Sequence, residues 1–253
     1  MDSNGRWITE EAVAAPFPLL VHREWAERWP WLVQGITGRG TRDHWDLALF
    51  GDDAAGAVMD RWEVLAGTLP VRGAVHARQV HGAAVRYHAV GLEGLNLVPP
   101  CDGHLTRAPG LLLTVSVADC VPVFLVAPGV RAVAAVHAGW RGTAAGILEG
   151  AVASFRDRLG VGPGDLHIHL GPAICGACYE VGPEVHEALG EPVPPVPGPV
   201  DLADNLARRG IAEGIPPEAV TRSTHCTRCG EAGLFSHRGG DAGRQMAFVG
   251  VAG

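Results

Sequence analysis

The 253-residue sequence contains no lysine, so all 20 of its basic residues are arginine. Without lysine the chain cannot form a Schiff base or hold pyridoxal phosphate covalently. It also lacks the phosphate-binding lysine of a Walker-A loop and the base of a Ser-Lys dyad. We attribute this composition, rich in Arg, Ala, Gly and Pro, to genome bias rather than to function.

Positive charge and long apolar runs are also scarce. Acidic residues outnumber basic ones by 27 to 20, which argues against binding duplex DNA or an anionic membrane. No run approaches the ~20 apolar residues of a membrane span, and residues 1–7 lack the pattern of a signal peptide. The sequence therefore predicts a cytoplasmic protein whose six cysteines are thiols or metal ligands rather than disulfides.

Apolar residues make up 47% of the chain, enough for a sizeable core. Short apolar runs bounded by turn residues predict buried strands at 111–117, 121–127, 131–136, 166–170 and 245–251. Helical spacing predicts a helix over 143–159, with Thr143 as N-cap and Gly160 as its stop. Further helices are expected over 183–189 and 202–209, with an exposed proline-rich loop at 191–199 between them.

This pattern predicts one α/β (α+β) domain over residues 35–253. Residues 1–34, which hold four of the seven tryptophans, are interpreted as an N-terminal packing segment leading into it. We find neither an internal repeat nor a second domain boundary.

Three potential metal ligands stand at the ends of predicted strands or in adjoining turns: His81, Cys120 and His137. Two imidazoles and a thiolate suit Zn²⁺ and leave a fourth position for water or substrate, as in catalytic zinc sites. A metal bound there would lower the pKa of its water toward ~7. Two alternatives stay open from spacing alone: a metal-free thiolate–imidazole pair of Cys120 and His137, or a buried thiol beside core histidines.

Two C-x-x-C pairs, Cys175/Cys178 and Cys226/Cys229, are further candidate metal ligands. They lie 47 residues apart, beyond the ~15–20 of a zinc ribbon, so the spacing argues against a shared Cys₄ site without excluding it. The other possibility is that Cys175 or Cys226 lies near the main site.

Arginines in glycine-rich surroundings are candidate anion contacts. Arg39 lies between two glycines, and Arg141 precedes a predicted helix N-terminus that favours negative charge. Each could equally be a surface arginine paired with a carboxylate. Asp102, Asp119 and His104 are candidate acids and bases.

Several strings together resemble one family, the laccase-domain proteins, also called DUF152 or YfiH-like and described as multifunctional purine nucleoside enzymes. The matching strings are QVHG at 79–82, CDGHLT at 101–106, VADCVP at 117–122, VHAGWRG at 136–142, LGPAI at 170–174, CYEVG at 178–182, HCT at 225–227, FSHR at 235–238 and GRQ at 243–245. They cover about residues 35–251.

The resemblance implies a single layered α-β-β-α domain, related in fold to cysteine-hydrolase-like toxins. It implies a zinc site at His81, Cys120 and His137, and phosphorolysis of adenosine, guanosine, inosine or methylthioadenosine together with deamination of adenosine. The N-terminal motifs depart from the family pattern, so Arg39 and Arg61 are carried over only as possible anion contacts.

Older descriptions of the family name copper polyphenol oxidases. A multicopper site needs about ten histidines, many in H-x-H strings, whereas this chain has one such string, at 167–169. This argues against a four-copper laccase, although copper remains an alternative occupant of the His₂Cys site.

The resulting hypothesis is a zinc-dependent purine nucleoside phosphorylase with adenosine deaminase activity, whose partners are a nucleoside and phosphate. Arginines would hold the phosphate, while Cys120, Asp102 and His104 are the catalytic candidates. The rivals are a copper polyphenol oxidase, a metal-free cysteine hydrolase acting on cell-wall precursors, and a non-enzymatic zinc-stabilised binding protein.

Overall fold

The computed structural model describes residues 4–40, 45–51 and 53–253. Within these ranges the strands are β1 Arg6–Ile8, β2 Glu11–Ala12, β3 Leu19–Val21, β4 Leu32–Thr37, β5 Gly73–Ala77, β6 Val85–His88, β7 Gly94–Val98, β8 Gly103–Thr106, β9 Leu111–Val117, β10 Val121–Ala127, β11 Ala132–Ala138, β12 His167–Leu170, β13 Glu180–Val181, β14 Gly198–Pro199, β15 Val220–Ser223 and β16 Gln245–Val251. The α-helices are α1 Arg23–Arg28, α2 Ala55–Thr68, α3 Trp140–Ala144, α4 Ile147–Leu159, α5 Pro183–Leu189 and α6 Leu202–Ala212.

Two mixed seven-stranded sheets form the centre of the fold. One has the strand order β1-β15-β12-β10-β11-β8-β6, and the other has the order β2-β3-β4-β16-β9-β5-β7. Strands β9 and β16 of the second sheet pack on β11 of the first. The fold is therefore of the mixed α/β class that the sequence predicts.

Successive side chains of a strand point to opposite faces of its sheet, and this explains how the layers of the fold are packed. On β10, Val123 and Leu125 join a core with α4 and α6, whereas Phe124 and Val126 join the core between the two sheets. On the far side, Phe248 of β16 joins a third core against α2. Helices thus cover both outer faces, which confirms the α-β-β-α order.

The helix predicted over 143–159 is wrong in one respect. The structure has two helices there, α3 and α4, separated at Gly146, whose φ of 81° is the left-handed conformation that glycine tolerates. Gly146, not Thr143, is the N-cap of α4, while Gly160 ends the helix as predicted. The strand predicted at 131–136 begins one residue later and continues to Ala138, so His137 lies inside β11.

The N-terminal residues are part of both sheets. Strand β1 pairs with β15, β3 and β4 extend the other sheet, and Trp25 and Trp29 are buried in the core between the sheets. The division at residues 34/35 stays a prediction. Within the part of the chain described, no helix has both the length and the apolarity needed to cross a bilayer.

Replacing Phe155 with alanine is expected to destabilise the protein by ~3–5 kcal/mol, because it removes a large side chain from a closely packed core. Phe155 on α4 is fully buried. Urea unfolding measures the effect, with Leu97→Ala as the control at a side chain that is 59% exposed. A loss below ~1 kcal/mol at Phe155 would contradict the packing described.

Candidate active site and metal centre

Three segments bring His81, Cys120 and His137 together. His81 lies in the loop after β5 and has a positive φ of 58°, Cys120 ends the turn between β9 and β10, and His137 lies near the end of β11. One ligand atom from each side chain lies within 4.8 Å of the others. The structure therefore brings the three predicted metal ligands into one group.

Asp102 positions this group through hydrogen bonds to His137 and to the loop that carries His81. Its carboxylate is fully buried and accepts a hydrogen bond from His137 Nδ1 at 2.9 Å. It also accepts the backbone N–H groups of Val80, His81 and Gly82 at 3.2, 2.9 and 2.9 Å. Asp102 thus positions both histidines and leaves His137 Nε2 as the ring atom available to a metal.

The electrostatics of Cys120 and His137 are coupled. Burial opposes ionisation of Cys120, but the charge and hydrogen bonds of His137, aided by His81, outweigh it and lower the pKa of Cys120 to about 6. Burial likewise opposes protonation of His137, but Cys120 and Asp102 raise the pKa of His137 to about 9. As side chains alone they form a thiolate–imidazolium pair at neutral pH.

Asp119 fixes the turn that carries Cys120. Its φ is 85°, and its carboxylate accepts hydrogen bonds from Thr227 Oγ1 at 2.6 Å, Ser236 Oγ at 2.7 Å and the backbone N–H of Arg238 at 2.6 Å. Because both carboxylate oxygens accept these hydrogen bonds, Asp119 has a structural role: it fixes the conformation of the turn.

The His81–Cys120–His137 group opens into a cavity of about 850 Å³, large enough for a nucleoside. The other polar or aromatic side chains on its wall are Phe50, His76, Arg78, Gln79, Ser116, His237, Asp241 and Arg244.

The structure does not bring His104 to this cavity. His104 is buried elsewhere, with Nδ1 at 3.1 Å from His88 Nε2 and at 3.8 Å from Cys101 Sγ. Burial, together with the neighbouring charges, lowers the pKa of His104 to about 3. His104 therefore remains neutral at physiological pH, and it does not line the cavity.

The three predicted anion contacts are also absent from the cavity wall. Arg39 donates to Asp241 Oδ2 at 3.0 Å, and Arg61 donates to Asp53 Oδ2 at 2.6 Å. The Arg141 guanidinium stacks on Trp140, 4.3 Å from the ring centre. Arg78 and Arg244 line the cavity instead, and within the described ranges neither forms an ion pair with a carboxylate.

Sequence reasoning gave Arg78, Arg244 and His76 no role, although GRQ at 243–245 was among the matching strings. His76 and Arg78 lie at or just after the end of β5, whereas Arg244 lies just before β16, so only the fold shows that they share a cavity. His76 alone carried a usable signal, as a polar residue inside an otherwise apolar strand.

The four remaining clustered cysteines form a second group. The Sγ atoms of Cys175, Cys178, Cys226 and Cys229 all lie within 4.8 Å of one another. The inference from their 47-residue separation was therefore wrong about proximity. The cysteines are free thiols in the structure.

The donor set at His81, Cys120 and His137 fits a borderline-soft divalent metal. Two imidazoles and a thiolate converge, a carboxylate orients one imidazole, and the group faces a cavity. Gly139 completes this cradle, because a Cβ there would lie only 3.0 Å from both Cys120 Sγ and His81 Cδ2. The residues present thus fit one ion with room for a further ligand.

Asp102→Asn is expected to weaken metal binding by ~10–100-fold, because an amide cannot replace the charge that orients His137. Competition with a chromophoric chelator measures the affinity. Asp241→Asn is the matched control, since Asp241 lies on the cavity wall but outside the metal group. An affinity for D102N within twofold of the unaltered protein would contradict the positioning role.

Comparison with known proteins places the chain in a family. A family model described as "Multi-copper polyphenol oxidoreductase laccase" matches residues 34–252. The chain belongs to this laccase-domain family. Its relatives include the purine nucleoside phosphorylase YlmD of Geobacillus stearothermophilus, 36% identical over 220 residues, which are 79% of this chain and 80% of that protein. The adenosine deaminase RL5 of an unknown prokaryotic organism is 33% identical over 237 residues, 85% of this chain and 89% of that protein.

Solved structures share the fold. The crystal structure of YlmD from Geobacillus stearothermophilus has a TM-score of 0.81 at 30% identity, covering 96% of this chain and 100% of that chain. The Bacillus licheniformis hypothetical protein YfiH has a TM-score of 0.82 at 28% identity, covering 94% and 97%.

The family's multicopper description does not match the histidines of this chain. Of the single H-x-H string, His169 bonds Glu10 and Thr221 in the core, and the ring of His167 packs edge-on against Trp29. Within the described ranges, each of the two metal-capable groups holds at most two histidines. A trinuclear copper centre needs many more.

Proposed function

We propose that the chain is a zinc-dependent purine nucleoside phosphorylase that also deaminates adenosine. One observation carries the proposal: two imidazoles and a thiolate converge at the end of a nucleoside-sized cavity, in a chain related to proteins named for these two activities. The substrates are a purine nucleoside with phosphate, or a purine nucleoside with water. The six free thiols support the cytoplasm as its compartment.

His81, Cys120 and His137 hold the metal in this proposal. Zinc held by these residues would supply Lewis acidity and would lower the pKa of a bound water toward ~7. Asp102 keeps the His137 ring in place through Nδ1, so that Nε2 faces the metal position.

His76 is the proposed neutral hydrogen-bond acceptor for the substrate. Thr114 Oγ1 donates to the Val75 carbonyl at 2.7 Å, so it accepts from His76 Nδ1 at 2.9 Å and leaves Nε2 unprotonated. Burial lowers the pKa of His76 to about 4, so the ring is neutral at physiological pH. Its Nε2 can therefore accept from a ribose hydroxyl or a purine N–H.

Arg78 and Arg244 are the proposed phosphate contacts. Arg244 Nη1 donates to the carbonyls of Ala242 and Gly243 at 2.7 and 2.8 Å, which fixes its guanidinium beside the cavity. Arg78 is exposed on the same wall and has no carboxylate partner within the described ranges. Both can use their donors on an anionic oxygen and place it for attack on the ribose.

Product analysis tests the function. Metal-analysed protein with adenosine and phosphate is expected to yield adenine and ribose 1-phosphate, and with adenosine alone to yield inosine and ammonia. No turnover of adenosine, inosine, guanosine or methylthioadenosine by zinc-loaded protein would contradict the proposal.

Phe50→Ala is expected to raise KM for the nucleoside about tenfold with little change in kcat. Phe50 is 60% exposed on the cavity wall beside His76, at 6.3 Å between ring centres, and offers a face for a purine to stack on. Steady-state kinetics measures the effect. Val90→Ala, an exposed apolar residue off this wall, is the control, and an unchanged KM in F50A would remove Phe50 from the substrate site.

A metal-free cysteine hydrolase is the second candidate. Asp102 contacts His137, and His137 contacts Cys120, which is the series of contacts in a catalytic triad of acid, base and nucleophile. Chelation separates the two functions. The zinc enzyme loses turnover and regains it with added zinc, whereas a cysteine hydrolase stays active without metal and is inactivated when iodoacetamide alkylates Cys120.

A further inference from the structure

We propose that Cys175, Cys178, Cys226 and Cys229 bind a second zinc ion, which is structural; the evidence for it does not rest on the proposed catalytic function. Two C-x-x-C turns face each other so that all four sulfurs lie within 4.8 Å, as a single Cys₄ site requires. The six-cysteine chain would then hold two ions, one with open coordination and one closed.

Sheet topology explains how distant pairs meet. Strands β12 and β15 are parallel neighbours, with Leu170 opposite Arg222 in register. The first C-x-x-C follows β12 after four residues, and the second follows β15 after two. Because parallel strands end at the same edge of a sheet, both turns leave at one place. Most of the 47-residue separation is the connection between these strands, so it does not bear on the size of the site.

The sulfur geometry matches a tetrahedral ion. Four sulfurs at ~2.3 Å from zinc lie about 3.8 Å apart, and Cys175 Sγ lies 3.9 Å from Cys229 Sγ. Cys226 Sγ accepts the backbone N–H groups of Cys175 at 3.3 Å and Cys229 at 3.5 Å. These hydrogen bonds favour a thiolate and provide the outer contacts that metal ligands use. Binding would release the thiol protons to solvent, with no electron transferred.

The position of the cluster indicates what the ion does. Next to the cysteines, Ile174 donates its N–H to the Asp119 carbonyl at 3.0 Å, and Thr227 Oγ1 donates to the Asp119 carboxylate at 2.6 Å. Asp119 precedes Cys120. An ion in the Cys₄ site would therefore join the two segments that form hydrogen bonds to the turn carrying Cys120. Its role is to hold that turn in place.

Metal counting with cobalt spectroscopy tests the proposal. Protein purified without a metal-affinity tag is expected to contain two zinc ions per chain. Cys120→Ser is expected to lose one, and a Cys178→Ser/Cys229→Ser double variant is also expected to lose one. Replacing Cys101, the sixth cysteine and outside both groups, with serine is expected to leave both ions.

Cobalt distinguishes the two sites because sulfur-to-cobalt charge transfer grows with the number of thiolates. Cobalt-loaded C120S is expected to keep the strong charge-transfer bands of a four-thiolate site. All four clustered cysteines are unaltered in this variant, so the result tests the intact cluster. The proposal is overturned if C120S retains no metal, if mass spectrometry finds a disulfide within the cluster, or if the cluster holds iron instead of zinc. None of these measurements depends on turnover, so they remain informative if the proposed function fails.

Discussion

Replacing Cys120 with alanine is expected to reduce both phosphorolysis and deamination by about 1,000-fold or more. Cys120 is the one thiolate of the His81–Cys120–His137 group, and its loss leaves two imidazoles to hold the ion. Lewis-acid stabilisation is worth several kcal/mol, and each 1.36 kcal/mol of barrier is tenfold in rate. Single-turnover assays with adenosine, with and without phosphate, measure both losses.

Cys101→Ala is the matched control for this prediction. It removes a thiol by the same substitution, but from a buried cysteine that belongs to neither metal-capable group. The C101A protein is therefore expected to retain turnover. Zinc analysis of both variants shows whether activity follows the metal. If C120A turned over adenosine at the rate of the unaltered protein, the site would lie elsewhere.

The second large effect concerns phosphate. Arg78→Gln and Arg244→Gln are each expected to raise KM for phosphate by ~10–100-fold, since a charge-assisted hydrogen bond contributes about 1.5–3 kcal/mol. Deamination uses water instead of phosphate and should change little in R78Q, because the Arg78 guanidinium has no hydrogen bond or ion pair within residues 4–40, 45–51 and 53–253 that the substitution would remove. Initial rates over a range of phosphate concentrations measure the change.

Arg158→Gln is the control, an exposed arginine on α4 away from this cavity. Equal losses of phosphorolysis and deamination in R78Q would indicate damage to the whole site and not to a phosphate contact. An unchanged KM for phosphate in both variants would contradict the assignment and return attention to Arg39, Arg61 and Arg141.

Much of the architecture was predictable because strong local patterns agree with the tertiary structure. Strands β9, β10 and β16 have the predicted bounds, since each is a mostly apolar run buried on both faces along almost its whole length. Helix α5 also begins at Pro183 and ends at Leu189 as predicted. The break before α4 was missed because a single glycine within a helical pattern does not reveal its φ.

The site was predictable to a different degree for each residue type. His81, Cys120 and His137 were found because metal-ligand types stand beside strand ends and in recognisable strings. The arginines were not, since the pairing of Arg39 with Asp241 is tertiary and that of Arg61 joins a helix to Asp53 in the segment before it, which residue spacing does not reveal. The Cys₄ cluster was missed for a similar reason: a spacing rule drawn from local zinc ribbons cannot describe two turns joined by parallel strands.

The most direct test of the account is an anomalous difference map at the zinc absorption edge, from crystals of protein purified without a metal-affinity tag. We expect a peak bonded by His81, Cys120 and His137 and facing the cavity. Zinc bound only by the four clustered cysteines, with the His81–Cys120–His137 group free of metal in zinc-replete and active protein, would contradict the central claim.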